Sequence, residues 1–429
     1  MSRELIDLTA PTERALLIGA PRKGRNARHR TAEHLEELAR LADTAGADVV
    51  GEVVQQIERP NPATYLGKGK VEELTQTIAD RDATLLLFDD ELSPSQGKNI
   101  EDITGKRVMD RAELILDIFA TRARSAEAKM QVELAQLQYM LPRLTRMWAH
   151  LEKFRGGIGV RGPGETQLET DRRLINHRIK VLGQRLTEVQ KSREVQRGSR
   201  RGEFQASLVG YTNAGKSSIL RSLANDNTIF VENRLFATLD PLTREVDLAD
   251  GETVLLTDTV GFVRKLPHQL VASFRATLEE VLEADVLLHV IDISDPMWEE
   301  HRAVVVEVLS ELGANETPII NVFNKFDLLP PEQLEAVRDR VTNLIPDAVF
   351  ANTVTDDGLD ALKRAMLRRL RAERRVVELK VGLGDGRLLA ELHRQGDVLS
   401  QRTDGDHMIV SVRLTPEALG RLGTRAVGA

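Results

Sequence analysis

The chain contains no cysteine, which excludes disulfides and thiolate metal centres and suits a reducing compartment. It has no apolar run approaching the ~20 residues that a membrane-crossing helix needs. The run Val286-Leu-Leu-His-Val-Ile291 reads instead as a buried strand. The opening Met-Ser-Arg-Glu-Leu-Ile-Asp turns acidic too early for a secretory signal. The nine histidines form no close metal-ligand pair. Net positive charge is missing as well: the formal charge is −7, which by itself argues against a nucleic-acid partner. These absences lead to the expectation of a cytoplasmic chain without a membrane span, peripheral attachment being left open. At 429 residues there is room for two to four domains.

The charge is unevenly distributed. Between Arg122 and Arg201, 18 Lys/Arg stand against 8 Asp/Glu, a local +10 that leaves the remainder at −17. Such segregation marks polyanion-binding arms, although a charge run is more often a solvated face.

What the chain does contain is a phosphate-binding loop. Gly210-Tyr211-Thr212-Asn213-Ala214-Gly215-Lys216-Ser217, followed by Ser218, fits the pattern Gly, four free residues, Gly-Lys-Ser. It lies between an expected strand (204–209) and an expected helix (217–224). In this pattern backbone N–H groups turn around a polyphosphate, the lysine meets the outer phosphates and the serine hydroxyl ligates Mg²⁺. The helix adds its positive dipole end. Downstream, Asp258-Thr259-Val260-Gly261 closes one strand and Asn324-Lys325-Phe326-Asp327 another. The first supplies a carboxylate for the Mg²⁺ shell and a Gly N–H for the terminal phosphate. In the second, Asp327 can accept from guanine N1–H and its exocyclic amine, a donor pair adenine lacks; polar pairing of this kind rejects the wrong ligand by about 10⁴–10⁵. Three motifs in order, each at a strand end, imply a GTPase that uses GTP/GDP and Mg²⁺.

The remainder divides by pattern. Residues 1–124 alternate strand and helix signals (strands at 15–19, 48–55 and 84–88, helices at 34–42 and 71–79), which implies a small α/β domain with a mostly parallel sheet. Across 125–200 the period becomes helical: Met130, Leu134, Leu137, Leu141, Leu144, Trp148 and Leu151, then Ile175, Ile179, Leu182, Leu186 and Val189. These are the seams of an antiparallel helical hairpin, with Pro142 expected to interrupt the first helix. Thr166-Gln-Leu-Glu169 reads as a capping box opening the second helix. The tip between them holds five glycines from Gly156 to Gly164. Its Gly157-x-Gly159-x-x-Gly162 is no dinucleotide fingerprint, because no strand precedes it. Residues 201–373 form the nucleotide domain and 374–429 a small α+β tail, with strands at 376–381, 398–403 and 407–414 and helices at 386–395 and 416–422. The fold class is therefore α/β, a P-loop GTPase domain between a leading α/β domain with hairpin and a tail.

This order of parts resembles the HflX-type GTPases, ribosome-associated members of the translation-factor class. The resemblance is carried by Tyr65-Leu-Gly-Lys-Gly-Lys-Val-Glu-Glu-Leu, Gly162-Pro-Gly-Glu-Thr-Gln-Leu-Glu-Thr-Asp, the phosphate loop and Leu235-Phe-Ala-Thr-Leu-Asp-Pro. It implies binding to the large ribosomal subunit and its rRNA, with no DNA, and GTP-dependent splitting of stalled or idle 70S particles under stress, by a monomer. It also implies that Phe236-Ala237-Thr238-Leu239-Asp240 is the first switch, with Thr238 completing the Mg²⁺ shell and Thr243 as runner-up. Phe262 stands where many GTPases carry a water-orienting Gln, so hydrolysis needs a completing partner: the ribosome, or a K⁺ ion beside Asn213, whose other role is a loop hydrogen bond. The base-cradling segment departs from the usual Ser-Ala: alignment on Gly358 places Asn352-Thr353-Val354 there, which leaves the cradle's fit open. Two other readings remain at this point, a non-ribosomal switch whose hairpin grips a protein and an RNA-remodelling ATPase using Gly67-Lys-Gly-Lys.

Overall fold

The computed structural model describes residues 12–23, 27–144, 164–197, 203–229, 231–232, 234–266, 280–355, 357–373 and 375–414, together with 418, 419, 422, 427 and 428. Two compact units are present. One is built from Met1–Ser192, Val231–Asp240 and Val260–Leu278, the other from Arg193–Phe230, Pro241–Thr259 and Glu279–Ala429. Two stretches from the middle of the sequence thus join the first unit.

The first unit opens with β1 (Arg14–Gly19), α1 (Ala27–Thr44), β2 (Asp48–Val54), α2 (Lys68–Arg81), β3 (Leu85–Phe88), α3 (Pro94–Thr104), β4 (Arg107–Asp110) and α4 (Arg111–Arg122). Its sheet runs β2-β1-β3-β4, all parallel. β1 and β3 are buried on both faces, which is why their sequences are continuous apolar runs rather than alternating ones. The sequence pattern did not anticipate α3, β4 or α4. The signal for α3 was local: Ser93 and Gln96 form a capping box around Pro94, and Gly105 ends the helix in a left-handed conformation.

The hairpin follows as α5 (Ala126–Met140) and α6 (Gly164–Arg197). Pro142 lies in a 3-10 turn, Leu141–Arg143, so the expected interruption is present. The deep face of α5 is Ala128, Gln131, Val132, Ala135 and Tyr139, whereas the seam positions Met130, Leu134 and Leu137 are half-buried. Small side chains at 128 and 135 allow close helix packing, and heptad reading does not register alanine or glutamine as core. On α6 only Leu182 of the seam is fully buried among the described residues. This helix begins at Gly164, two residues before Thr166, so Thr166 is inside the helix rather than its cap. Arg178 donates Nε and Nη2 to the two carboxylate oxygens of Glu133 at 2.6 and 2.8 Å, joining the two helices. Trp148, Leu151 and the glycine-rich tip before Gly164 lie outside the described residues.

The second unit contains β5 (Gln205–Gly210), α7 (Lys216–Leu223), β6 (Leu242–Ala249), β7 (Glu252–Asp258), β8 (Val286–Asp292), α8 (Trp298–Leu312), β9 (Ile319–Asn324), α9 (Pro331–Leu344), β10 (Val349–Phe350) and α10 (Asp360–Glu373). The sheet order is β10-β9-β8-β5-β7-β6, parallel except for β6. Apolar side chains cover both faces of the central strands. The tail adds β11 (Arg375–Gly382), α11 (Gly386–Gln395), β12 (Asp397–Asp404), β13 (His407–Leu414) and β14 (Val427–Gly428), an antiparallel sheet ordered β12-β13-β11-β14. β12 and β13, the strands expected at 398–403 and 407–414, pair as an antiparallel hairpin. The helix expected at 416–422 falls mostly outside the described residues.

Candidate nucleotide-binding site

β5 is a central strand, and its carboxyl end delivers the phosphate loop where open α/β sheets bind ligands. The loop needs its glycines. Gly210 has φ +153°, and a Cβ there would sit 2.3 Å from the Val290 carbonyl oxygen on β8. Gly215 has φ +98°, and a Cβ would lie 2.2 Å from Asn324 Nδ2. Asn213 adopts φ +60°, a left-handed conformation that asparagine tolerates better than most residues. Ala214 is buried and Tyr211 and Thr212 nearly so. Lys216 is 6% exposed and donates to the carbonyls of Gly210 (3.1 Å) and Tyr211 (2.9 Å). Burial lowers its pKa to about 8, Asp258 opposing the fall and Lys325 adding to it. Ser217 Oγ donates to Asp258 Oδ2 at 2.6 Å, with Asp258 1% exposed and Ser218 half-buried one residue further along α7. A hydroxyl and a carboxylate at this distance form an oxygen donor set suited to a hard cation such as Mg²⁺.

The ends of β8, β9 and β10 complete this side. Asn324 Nδ2 donates to the Ala214 carbonyl at 2.9 Å, tying the guanine motif to the phosphate loop. Lys325, at φ +61°, pairs with Asp292 at 2.7 Å, and Asp327 is exposed in the 3-10 turn Phe326–Leu328. Thr259 Oγ1 donates to the Leu208 carbonyl at 2.6 Å. Asn352 is buried; its Oδ1 accepts from Val354 N (3.0 Å), Thr355 N (2.9 Å) and Thr355 Oγ1 (3.1 Å), while Thr353 is half-buried and Val354 exposed. The departure from Ser-Ala is therefore an asparagine turn closed on itself, with Asn352 N donating to the Gly358 carbonyl.

Sequence reasoning missed three residues of this unit. Asp292, the carboxylate ending an apolar strand, holds Lys325. His301 on α8 stacks on Tyr211 at 3.9 Å and 13°. His289 is fully buried on β8 with neither ring nitrogen hydrogen-bonded among the described residues, and burial first, then Arg302 and Lys216, depresses its pKa to about 3. A lone histidine inside an apolar run carries no pattern that would mark it.

The remaining candidates belong to the first unit. Phe236, at φ +56° and buried, packs edge-on against Phe119 at 4.6 Å; Leu239 is also buried, and Ala237 and Thr238 are half-buried. Asp240 accepts from the backbone N–H of Arg124 and Ser125, both at 3.2 Å, and from the hydroxyl of Ser125, the N-cap of α5. Val260, Gly261 and Phe262 are buried. Thr243 lies instead in β6, sharing a 2.9 Å hydroxyl contact with Thr257 across the ladder.

The chain matches three family descriptions in succession: "GTP-binding GTPase N-terminal" over 32–120, "GTP-binding GTPase Middle Region" over 122–200 and "50S ribosome-binding GTPase" over 205–325. GTPase HflX of Caldanaerobacter subterraneus subsp. tengcongensis is 47% identical over 91% of this chain and 89% of its own. That of Magnetococcus marinus is 43% identical over 96% and 94%. Among solved structures, the SsGBP and GDP complex aligns at 26% identity over 83% of this chain and 98% of its own, with a TM-score of 0.48. With the P-loop sheet, the nucleotide motifs at its strand ends, the three family matches and the two HflX relatives, the chain belongs to the HflX family of GTPases and hydrolyses GTP.

Proposed function

We propose that this chain is a Mg²⁺-dependent GTPase of the cytoplasm that docks on the large ribosomal subunit and splits stalled or idle 70S particles under stress, acting as a monomer. Lys216 meets the phosphates. Ser217, Thr238 and Asp258 would hold Mg²⁺, which when bound neutralises phosphate charge. Gly261 offers its N–H to the terminal phosphate. Asn324, Lys325 and Asp327 select guanine, and the Asn352-Thr353-Val354 turn lies against the base. The observation that carries this reading is the buried Lys216 beside the Ser217–Asp258 pair, tied through Asn324 to the guanine motif. The ribosomal half is supported by the description of the matched GTPase family and by the basic 122–201 segment, since phosphate neutralisation dominates affinity for RNA.

The test is 70S dissociation with GTP, GDP and ATP, in wild type and in a variant lacking residues 156–164. Splitting with GTP alone, lost on removal of the tip, is expected. Splitting that ignores the nucleotide, or survives the deletion, sinks the proposal. A K⁺ ion beside Asn213 is one way to complete the site that Phe262 leaves without a water-orienting side chain. Because Asn213 sits at φ +60°, Asn213→Gly is the variant that removes the side chain and keeps the backbone. Turnover faster in KCl than NaCl in wild type but equal in the variant is the expected result; equal turnover in wild type removes the ion.

A further inference from the structure

The chain leaves the second unit after residue 230 and returns to it at Pro241, and the two ends of that excursion are bonded to each other. On the departing side α7 ends at Leu223, Asn225 takes a left-handed φ of +50°, and Asp226 opens a turn. Its Oδ1 accepts from Thr228 N at 3.0 Å and Thr228 Oγ1 at 2.5 Å, a side chain closing on its own backbone. Ile229 N donates to the Asp226 carbonyl at 3.2 Å, and its side chain, 5% exposed, joins the apolar cluster that holds Val246 and Leu248 of β6. On the returning side β6 pairs with β7 from its first residue, Leu242 standing opposite Asp258 and Thr243 opposite Thr257. Across the two sides, Arg244 Nε donates to the second oxygen of Asp226 at 2.9 Å, and Nη1 to the Thr243 carbonyl at 3.0 Å. Thr228 first and then Arg244 hold the Asp226 carboxyl down to about 2, so it stays ionised.

Chain length decides which side limits the switch. Thr238 follows Ile229 by nine residues, a tether of up to about 32 Å, but precedes Leu242 by four, at most about 14 Å. The position of Leu242 therefore restricts where Thr238 can be brought, and Leu242 stands opposite the residue whose carboxylate binds Ser217. β6 is the edge of its sheet, so these leading residues have a strand on one side only, and such ends open readily. The Arg244–Asp226 bond secures the other side. It ties the start of β6 to a turn anchored in the core and shortens the span left free, which lowers the ordering entropy of a closing switch.

We propose that Asp226 and Arg244 staple the two ends of the first switch together, holding the short tether of Thr238 beside Asp258 and so raising the preference for GTP over GDP. This rests on the role given to Thr238 above. A switch ordered by the terminal phosphate engages with GTP and not with GDP, so the staple changes the two affinities unequally. Asp226 and Arg244 are positioning residues that act through Thr238.

The experiment titrates full-length wild type, Asp226→Asn, Arg244→Gln, the double variant, Arg244→Lys and Thr238→Ala, the last also combined with Asp226→Asn. The ligands are a non-hydrolysable GTP analogue and GDP, each with Mg²⁺. Asp226→Asn keeps an acceptor for Thr228 and removes only the charge. Affinity for the analogue is expected to fall about fivefold in Asp226→Asn and in Arg244→Gln, the upper range for a partly exposed pair (23% and 38%), with GDP affinity held within about twofold. The double variant is no weaker than either single, since the two side chains make one interaction. Arg244→Lys, which keeps the cation, retains most of the affinity, and Asp226→Asn costs nothing further once Thr238 is alanine. Equal losses for the analogue and GDP, an unchanged analogue affinity in both single variants, or strict additivity overturns the staple. An unchanged analogue affinity in Thr238→Ala overturns the role of Thr238 on which the staple depends, and is read separately from the staple variants.

Discussion

Lys216 illustrates how a single side chain is held ready at a cost to the fold. An ammonium enclosed with two carbonyls is poorly compensated for its lost hydration, and its pKa falls to about 8. The folded-state value lies below the ordinary lysine value, so between about pH 8 and 10.5 the unfolded chain binds a proton that the folded chain has released. This group's contribution to stability therefore improves as pH rises through that window. Nucleotide binding runs the opposite way, because the phosphates of GDP or GTP require the charged form. GDP affinity should be flat from pH 6.5 to 7.5 and fall toward tenfold per unit above about 8. Calorimetry in two buffers of different ionisation enthalpy should show close to one proton taken up at pH 9.5. Affinity level from pH 7 to 9.5 would contradict the assignment.

At the scale of the element, the phosphate loop is a strand-to-helix turn that only two glycines allow. Gly215 and Gly313 share left-handed φ values of +98° and +85°, but a Cβ at 215 meets Asn324 whereas one at 313 meets no described atom within 4 Å. The comparison separates strain from collision. Gly313→Ala should cost about 1 kcal/mol of stability through conformation alone and leave GDP affinity unchanged. Gly215→Ala should also push Asn324 off the Ala214 carbonyl and lower GDP affinity more than a hundredfold, read by fluorescent-nucleotide titration; equal affinities in the two variants would remove the link between Asn324 and the loop. The same scale shows why the hairpin was only half legible. Pro142 and the leucine seams marked two helices, but the deep face of α5 is lined by Ala128, Gln131 and Ala135, residue types that hydrophobic periodicity passes over.

For the whole molecule, part of the segregated charge of 122–201 lies on the long helix α6, with Arg172, Arg173 and Lys180 exposed along it. If this arm meets rRNA, affinity for large subunits should fall roughly a hundredfold between 50 and 200 mM salt, as neutralisation of about four phosphates would give. Changing Arg172 and Lys180 to Gln should weaken binding and reduce the slope of log affinity against log salt by about one for each phosphate no longer neutralised. Co-sedimentation with a non-hydrolysable GTP analogue checks both, and a slope near zero would return the arm to a solvated face.

The nucleotide motifs were legible in the sequence because their spacing is dictated by the ligand: a polyphosphate needs consecutive N–H groups, and guanine needs a carboxylate opposite its two donors. The alternation of apolar runs and helical patterns likewise determined a parallel sheet, since strands buried on both faces must be apolar throughout. What only the tertiary structure decided is where the two remaining stretches lie. The described residues of 231–240 and 260–266 sit inside the nucleotide domain along the chain yet belong to the N-terminal unit. They are held there by partners 110 to 176 residues away, among them Ser125 for Asp240 and Asp89 for Arg264 and Lys265. A pairing across that separation leaves no period or spacing to read; it follows from which charges and rings remain uncompensated once the local elements have formed.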